Sequence, residues 1–474
     1  MALKTYKQKS SMYVLSKFGA ACLNLLSITL FTRVLETDDY GTYLLFSSYV
    51  TLVCAILFWW HRLSAYRYYH KYENEYDSFI RTSIYLFWSL ILMIFMICGV
   101  IFFTSIDQSV KSLIYLCAIG AIIKSNYDLN QSLFNIARCD IIFGINVIIR
   151  SLIFIAFGLI FIFHIEKNHS SLIYAFMGSF MLILIYSNFI ILRGASKGEF
   201  SWDIANKFIS YGFPMIGLFI FDYILSFSDR LFIDHYEGSS MVGIYGANYD
   251  LIKQILLFLM IMQSYILYPK INKAYEKSDE STVNKILAFN LNIFITIFMP
   301  LGIMIIYFNQ FISTIFLGED FIQYSNDLIP LFSVMFLIWG IKIYHFDYFF
   351  QLKEKTKYPM YILFGGSVNN ISLNICLIQK WGIIGGACST VIAYLFVLFL
   401  SAIIARRLMK NRFNFAILVK ALMIIFISIS VINIPQISNL NTIFHIIIFV
   451  CIYSILTIRY NFKELKPYLD NIYN

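Results

Sequence analysis

The chain has 474 residues, of which 59% are hydrophobic and 13% charged, and its mean hydropathy is +0.73. A soluble domain carries about 25% charged residues, so the solvent this chain is built for is the bilayer, and a length-based count of soluble domains does not apply. No polar stretch is long enough to fold as a separate catalytic domain, and the net charge of +9 is distributed in a way that argues against nucleic acid as a partner.

The N-terminus is basic, with Lys4, Lys7 and Lys9 ahead of an apolar span. That span is too long for a signal-peptide core and has no clear small-residue cleavage site after it, so it reads as an uncleaved first helix. Spans of about twenty apolar residues then recur. They run over 12–34, 42–60, 82–103, 112–137, 141–163, 171–192, 208–233, 242–268, 286–308, 327–351, 359–378, 384–405, 413–434 and 443–458. The pattern predicts an all-α integral membrane protein of about fourteen transmembrane helices. The eight cysteines lie in or beside these spans. None forms a CxxC pair or has a histidine at metal spacing, so they read as packing residues, and neither metal nor cofactor is expected. There is no GxxxxGK[ST] loop, which argues against direct use of ATP.

The basic residues test this segmentation. Of the 36 lysines and arginines, 25 fall at the termini or in every second loop, among them Arg62, Arg67, Arg138, Lys197, Lys277, Lys410 and Arg412. The alternate loops hold 5: Arg33, Lys111, Lys167, Arg230 and Lys380. A miscounted span would scramble the alternation downstream of it. The asymmetry predicts that both termini are cytoplasmic. The basic surplus is then a topology signal, with some attraction to anionic lipid.

Six basic residues remain inside the spans. Lys124 with Asp128, Arg150, Asp222, and Asp250 with Lys253 lie near mid-span, where a charge costs roughly 2.5–3.5 kcal/mol on insertion scales. Such residues usually face a protein interior or a wet cavity. Lys124 and Asp128 are four apart and Asp250 and Lys253 three apart, so each pair shares a helical face. The pairs are either intrahelical neutralisation or parts of a cargo- or proton-sensitive site. Arg150 has no carboxylate nearby in sequence, so its partner comes from another helix or from cargo. Lys17 and Lys420 sit close enough to a span end to snorkel.

Two hairpins look alike. Thr32 to Tyr43 joins spans 1 and 2, and Asp229 to Tyr245 joins spans 7 and 8. Each has an arginine (Arg33, Arg230) at the end of one span, an acidic loop, and Gly-x-Tyr opening the next. Spans 4 and 10, also six apart, carry Lys124 with Asp128 and Lys342 with Asp347. A fixed offset of six predicts duplicated halves, 1–198 and 199–410, related by a pseudo-two-fold along the membrane normal. Residues 411–474 add two helices and a tail. Arg33 and Arg230 are either caps for their hairpins, with Asp38, Asp39 or Asp234, or cargo contacts. Pro214 after Gly212, and Pro300 before Gly302, interrupt helix hydrogen bonding and are candidate hinges or static kinks. Asn369, Asn370 and Asn374 are read as interhelical bonding groups.

Three patches carry a family resemblance: Lys17 to Tyr43; Tyr211-Gly212-Phe213-Pro214 with Ser228-Asp229-Arg230 and Val242 to Tyr245; and Val368 to Asn374 with Trp381 to Thr390. They resemble the corresponding hairpins of Wzx-type polysaccharide flippases, of the multidrug/oligosaccharidyl-lipid/polysaccharide exporter superfamily. The resemblance implies a two-lobe, MATE-like transporter that makes no covalent bond. It implies an undecaprenyl-pyrophosphate-linked oligosaccharide as cargo, an O-antigen or capsule unit moved to the periplasmic leaflet of a bacterial inner membrane by alternating access. Membrane lipids, the polymerase and the chain-length regulator of the pathway are the implied partners. Cations suit a pyrophosphate, so Lys17, Lys124, Arg150, Lys253 and Lys342 are the expected cavity cations. Asp128, Asp222, Asp250 and Asp347 are the expected coupling or charge-pair carboxylates. Three other readings compete, the first a lipid II flippase, which the fourteen-span count keeps open. A membrane polymerase or glycosyltransferase would need a larger outer loop than this chain has. A multidrug extruder would favour acidic rather than basic mid-span residues.

Overall fold

The computed structural model describes residues 10–137, 139–194, 198–276, 280–353, 355, 357–408, 415–438 and 441–473, and among them there is no strand. The basic residues Lys4, Lys7, Lys9, Arg138, Lys197, Lys277, Lys410 and Arg412 lie outside this set.

The first helices are α1 (Ser10–Val34), α2 (Thr37–Leu57), α3 (Trp59–Tyr68), α4 (Tyr76–Phe102), α5 (Gln108–Ile136), α6 (Asp140–His164) and α7 (His169–Gly194). Next come α8 (Trp202–Gly212), α9 (Ile216–Glu237), α10 (Ser239–Glu276), α11 (Glu280–Ile293), α12 (Met299–Tyr307) and α13 (Asn309–Phe316). The chain closes with α14 (Ser325–Ile341), α15 (Asp347–Leu352), α16 (Lys357–Leu408), α17 (Phe415–Ile432), α18 (Pro435–Ser438) and α19 (Thr442–Tyr473).

Among the described residues, 11 helices are long and apolar enough to cross a membrane. The other expected spans also fall on helix. Span 112–137 is α5, 29 residues long, whose Lys124, Asp128, Asn130 and Gln131 make it less apolar. Spans 359–378 and 384–405 are two arms of α16, broken only at Gly382, which takes φ +55°. Span 413–434 is the shorter α17. On α4, Trp88, Leu92, Phe95 and Val100 are each about 60–70% exposed. An apolar face of that kind is stable in hydrocarbon and a liability in water.

The chain forms two compact units, Met1–Ala247 with Asn374–Ile383, and Asn248–Leu373 with Ile384–Asn474. In the first, the core gathers Phe58, Phe79, Phe87, Phe134 and Phe208 from α3, α4, α5, α8 and their junctions. In the second, α17 and α19 pack on α12 through Ile424, Ile425, Phe449 and Tyr453. The C-terminal pair is thus integrated into a core.

Three interruptions have local causes. Pro214 sits in a 3-10 turn, Phe213–Met215, between α8 and α9. Pro300 follows a π-turn, Phe294–Phe298. A proline cannot donate to the carbonyl four residues back, here that of Thr296, and the Tyr453 hydroxyl donates to it instead at 2.9 Å. A second π-turn, Lys342–Phe346, joins α14 to α15. The Asn290 amide donates to the Tyr344 carbonyl inside it.

Candidate functional site

Four of the expected residues come together in the first unit. On α5, Lys124 Nζ donates to Asp128 Oδ2 at 2.9 Å, so the i, i+4 pair forms. Lys17 of α1 lies within electrostatic range of Asp128 and Arg150. Arg150 of α6 lies within range of Asp128 and donates to Ser151 Oγ at 3.1 Å. The cross-helix neighbours that Arg150 required are therefore Asp128 and the Phe180 ring of α7, 5.0 Å from its guanidinium.

A fifth member was placed elsewhere by the sequence. Arg62 read as a loop residue beyond the end of span 2, yet the chain bends at Phe58 and continues as α3. This brings Arg62 to 3.7 Å from Asp128 Oδ2. The available signal was the run Trp59-Trp60-His61-Arg62, in which a cation follows three rings. Three large rings in a row suit a packed helix better than a solvent loop. The result is four cations around one carboxylate. Side-chain exposure is 37% at Arg62 and 20% at both Lys124 and Asp128, so the cluster is reachable rather than sealed in a core. Lys17 lies 5.1 Å from the centre of the Phe143 ring and Arg62 5.8 Å from Trp59. A cation over an aromatic face is held there by the ring quadrupole. Such an assembly offers an anion several N–H donors, with aromatic faces alongside.

Lys342 and Asp347 pair at 2.8 Å in the second unit. Five residues apart on an α-helix, they would point about 140° away from each other. The wider π-turn between them restores a common face. Lys342 is 3% exposed, and Asp347 Oδ1 has no hydrogen-bond partner. Asp250 and Lys253 are half-buried on α10, with Lys253 Nζ 5.7 Å from the Tyr249 ring. Asp222 is half-buried on α9. Asp222 belongs to the first unit, and Asp250, Lys253, Lys342 and Asp347 to the second.

The repeat-like hairpins meet in space. A Cβ on Gly41 would collide with the Ser239 carbonyl, and one on Gly243 with the Thr37 carbonyl. Thr37 Oγ1 bonds Ser240 Oγ at 2.6 Å, and Ser239 Oγ donates to Asp38. Arg33 is exposed, whereas Arg230 is 4% exposed with its guanidinium 5.4 Å from the Phe227 ring. Beside it, Asp229 accepts from Tyr245 Oη at 2.8 Å and from Asn374 Nδ2 at 2.7 Å. Asn374 is therefore an interhelical bonding group, as expected. Gly212 packs hard on α3, where a Cβ would meet Ser64 and Trp60. Among the few basic residues of the alternate loops, Lys111 donates to the carbonyls of Phe102 and Thr104 and so caps α4.

The family described as "Polysaccharide biosynthesis protein" matches residues 6–275. The uncharacterized membrane protein MJ1068 of Methanocaldococcus jannaschii is 25% identical over 280 residues, 56% of this chain and 54% of that one. The chain thus spans about half the length of this curated relative. Among solved structures, the lipid II flippase MurJ in an inward closed conformation superposes with a TM-score of 0.74 at 15% identity, over 96% of this chain and 100% of that one. An inward-facing multidrug resistance MATE family transporter of the MOP superfamily gives 0.62 at 13% identity, over 83% and 97%. A MOP superfamily transporter from Pyrococcus furiosus, described by the reverse polarity of its binding pocket, gives 0.59 at 13% identity, over 84% and 94%. At these identities the likeness is one of fold. With more than half of its length matched by the family and its helices arranged in this fold, the chain is a multi-pass membrane protein of the polysaccharide biosynthesis protein family.

Proposed function

We propose that the protein is a flippase for a polyprenyl-pyrophosphate-linked oligosaccharide, working by alternating access in a bacterial cytoplasmic membrane with both termini on the cytoplasmic side. The observation that carries this reading is the charge of the cluster: among the described residues, Lys17, Arg62, Lys124 and Arg150 gather around Asp128. Four cations against one carboxylate suit a pyrophosphate and would repel the cationic drugs that an extruder carries. Phe143 and Phe180 are buried and hold Lys17 and Arg150 in place, while the half-buried Trp59 beside Arg62 is the ring within reach of a sugar. The moving bodies in this account are the repeat halves 1–198 and 199–410, with 411–474 attached to the second. The reciprocal approach of Gly41 and Gly243 supports that pairing. Asp128 and Asp222 are the candidates for coupling to an ion or proton gradient. Lys253 and Lys342 act as secondary cations, and the breaks at Gly212–Pro214 and Pro300 act as hinges.

Complementation tests the proposal. The chain is expressed in a bacterium that lacks its own repeat-unit flippase and holds the matching glycan pathway. Polymer is expected to be restored by the native chain and by Lys420→Ala, and lost with Arg62→Ala or Arg150→Ala at equal expression. Failure of the native chain to restore polymer, with lipid-linked units held in the inner leaflet, would overturn it.

A further inference from the structure

An apolar crevice of about 430 Å³ lies among α2, α4 and α5 in the first unit. Its walls include Val53 and Leu57 of α2, Ile97 of α4, and Val110, Leu113 and Ala118 of α5. They are almost wholly apolar, and a cavity of that kind does not recruit water. Ile97, Val110 and Leu113 are 48%, 46% and 39% exposed on helices whose outer faces are apolar. The crevice thus suits a hydrocarbon chain reaching it from the apolar outer face.

Which chain follows from what lies further along the same helix. Val110, Ile114 and Cys117 line the crevice, and at steps of three and four the same stripe of α5 continues through Ala121 to Lys124 and Asp128. Ala118 and Lys124 are six residues apart, a rise of ~9 Å. On α2 the lining residue Leu57 stands five residues before Arg62. The occupant thus has an apolar body and an anionic end directly beyond it. Lys124 does not stand alone at that end: Lys17, Arg62 and Arg150 lie around the same Asp128. A phospholipid presents one phosphate to such a cluster, whereas a polyprenyl pyrophosphate presents two, and charge-assisted bonds to several cations suit the second.

From this juxtaposition we propose that the crevice among α2, α4 and α5 holds the first isoprene units of the cargo's polyprenyl tail while the pyrophosphate rests on Arg62 and Lys124. The inference rests on the flippase reading and adds a tail subsite to it. Hydrocarbon gains little by leaving lipid for an apolar wall, because both are equally dry. The crevice therefore selects by shape and by its tether to the cationic cluster.

The test uses the full chain in phospholipid vesicles and a polyprenyl pyrophosphate bearing a photoreactive diazirine on its second isoprene unit. Label is expected on the Tyr49–Leu57 and Val110–Ala118 segments. It should be displaced by excess unlabelled polyprenyl pyrophosphate but not by the same excess of phospholipid. Leu113→Trp, on a partly exposed wall that tolerates bulk, should cut the label several-fold, whereas Trp88→Phe on the outer face of α4 should not. Label spread evenly over lipid-facing helices, or displaced equally by phospholipid, overturns the tail subsite. If inorganic pyrophosphate still protects Lys124 from acylation in that case, the flippase reading stands without it. If the crevice labels equally with a prenyl alcohol and with Lys124→Ala and Arg62→Ala chains, the tail subsite stands and the cationic reading falls.

Discussion

Buried carbonyls and rings decide much of the behaviour at the scale of single residues. The Thr296 carbonyl loses its helical donor to Pro300 and regains one from Tyr453. Removing that hydroxyl leaves a buried acceptor unsatisfied, which costs about 1–3 kcal/mol. Tyr453→Phe should accordingly lower the unfolding midpoint in detergent, whereas Tyr361→Phe, at an exposed ring, should leave it unchanged. His61 presents a second case. It is 1% exposed, its Nε2 lies 3.1 Å from Ser83 Oγ, and burial holds its imidazole down to about 4. An unfolded histidine titrates near 6.5. Between those values the unfolded chain takes up a proton that the native protein refuses, so stability falls as pH drops from about 6.5 towards 4. A urea series over that window should show the fall, and His61→Phe should flatten it. A slope unchanged by the substitution would remove His61 from the account.

Helix register and close approach act at the scale of elements. The π-turn at Lys342–Phe346 lets Lys342 and Asp347 meet. Truncating one partner of a buried pair costs about 3–5 kcal/mol, while replacing both with apolar residues of similar volume is often neutral. Lys342→Met and Asp347→Leu should each destabilise strongly, and the double variant should recover most of the loss in a thermal-shift cycle. Additive losses would show that the pair contributes nothing through its contact. Where Gly41 and Gly243 cross, an added Cβ meets backbone that cannot rotate away. Gly243→Ala is expected to cost about 1–3 kcal/mol, the range of overpacking, with Gly365→Ala, whose Cβ has ordinary room, as the control. Much at this scale was legible in the sequence. Apolar length placed the helices, and the i, i+4 spacing placed Lys124 against Asp128. Two features were not legible. Arg62 was misplaced because apolar length alone ended span 2 at residue 60, although a less apolar helix continues past the break at Phe58. The Lys342–Asp347 contact was hidden because i, i+5 residues share a face only across a π-turn, which hydropathy does not record.

Charge sign is what separates the possible cargoes at the scale of the whole molecule. The fold is shared with proteins described as a lipid II flippase and as multidrug transporters, so the fold alone does not choose among them. In the proposed flippase the choice falls to the cluster around Asp128, where the described cations outnumber the described carboxylates. Lys124 and Arg150 were readable in the sequence as mid-span cations and Lys17 as one near a span end, but Arg62 was not, and the convergence from α1, α3, α5 and α6 required the tertiary structure. The most direct measurement is leaflet transfer by the purified chain. A lipid-linked oligosaccharide is placed in phospholipid vesicles, and its accessibility to a membrane-impermeant glycosidase is followed with time. The native chain should expose the inner-leaflet pool, and Arg62→Ala should slow that exposure roughly tenfold or more, the loss of one charge-assisted contact of ~1.5–3 kcal/mol. A native chain that leaves half of the oligosaccharide protected, or an Arg62→Ala chain that transfers it at the native rate, would contradict the claim that this cluster carries an anionic lipid across the membrane.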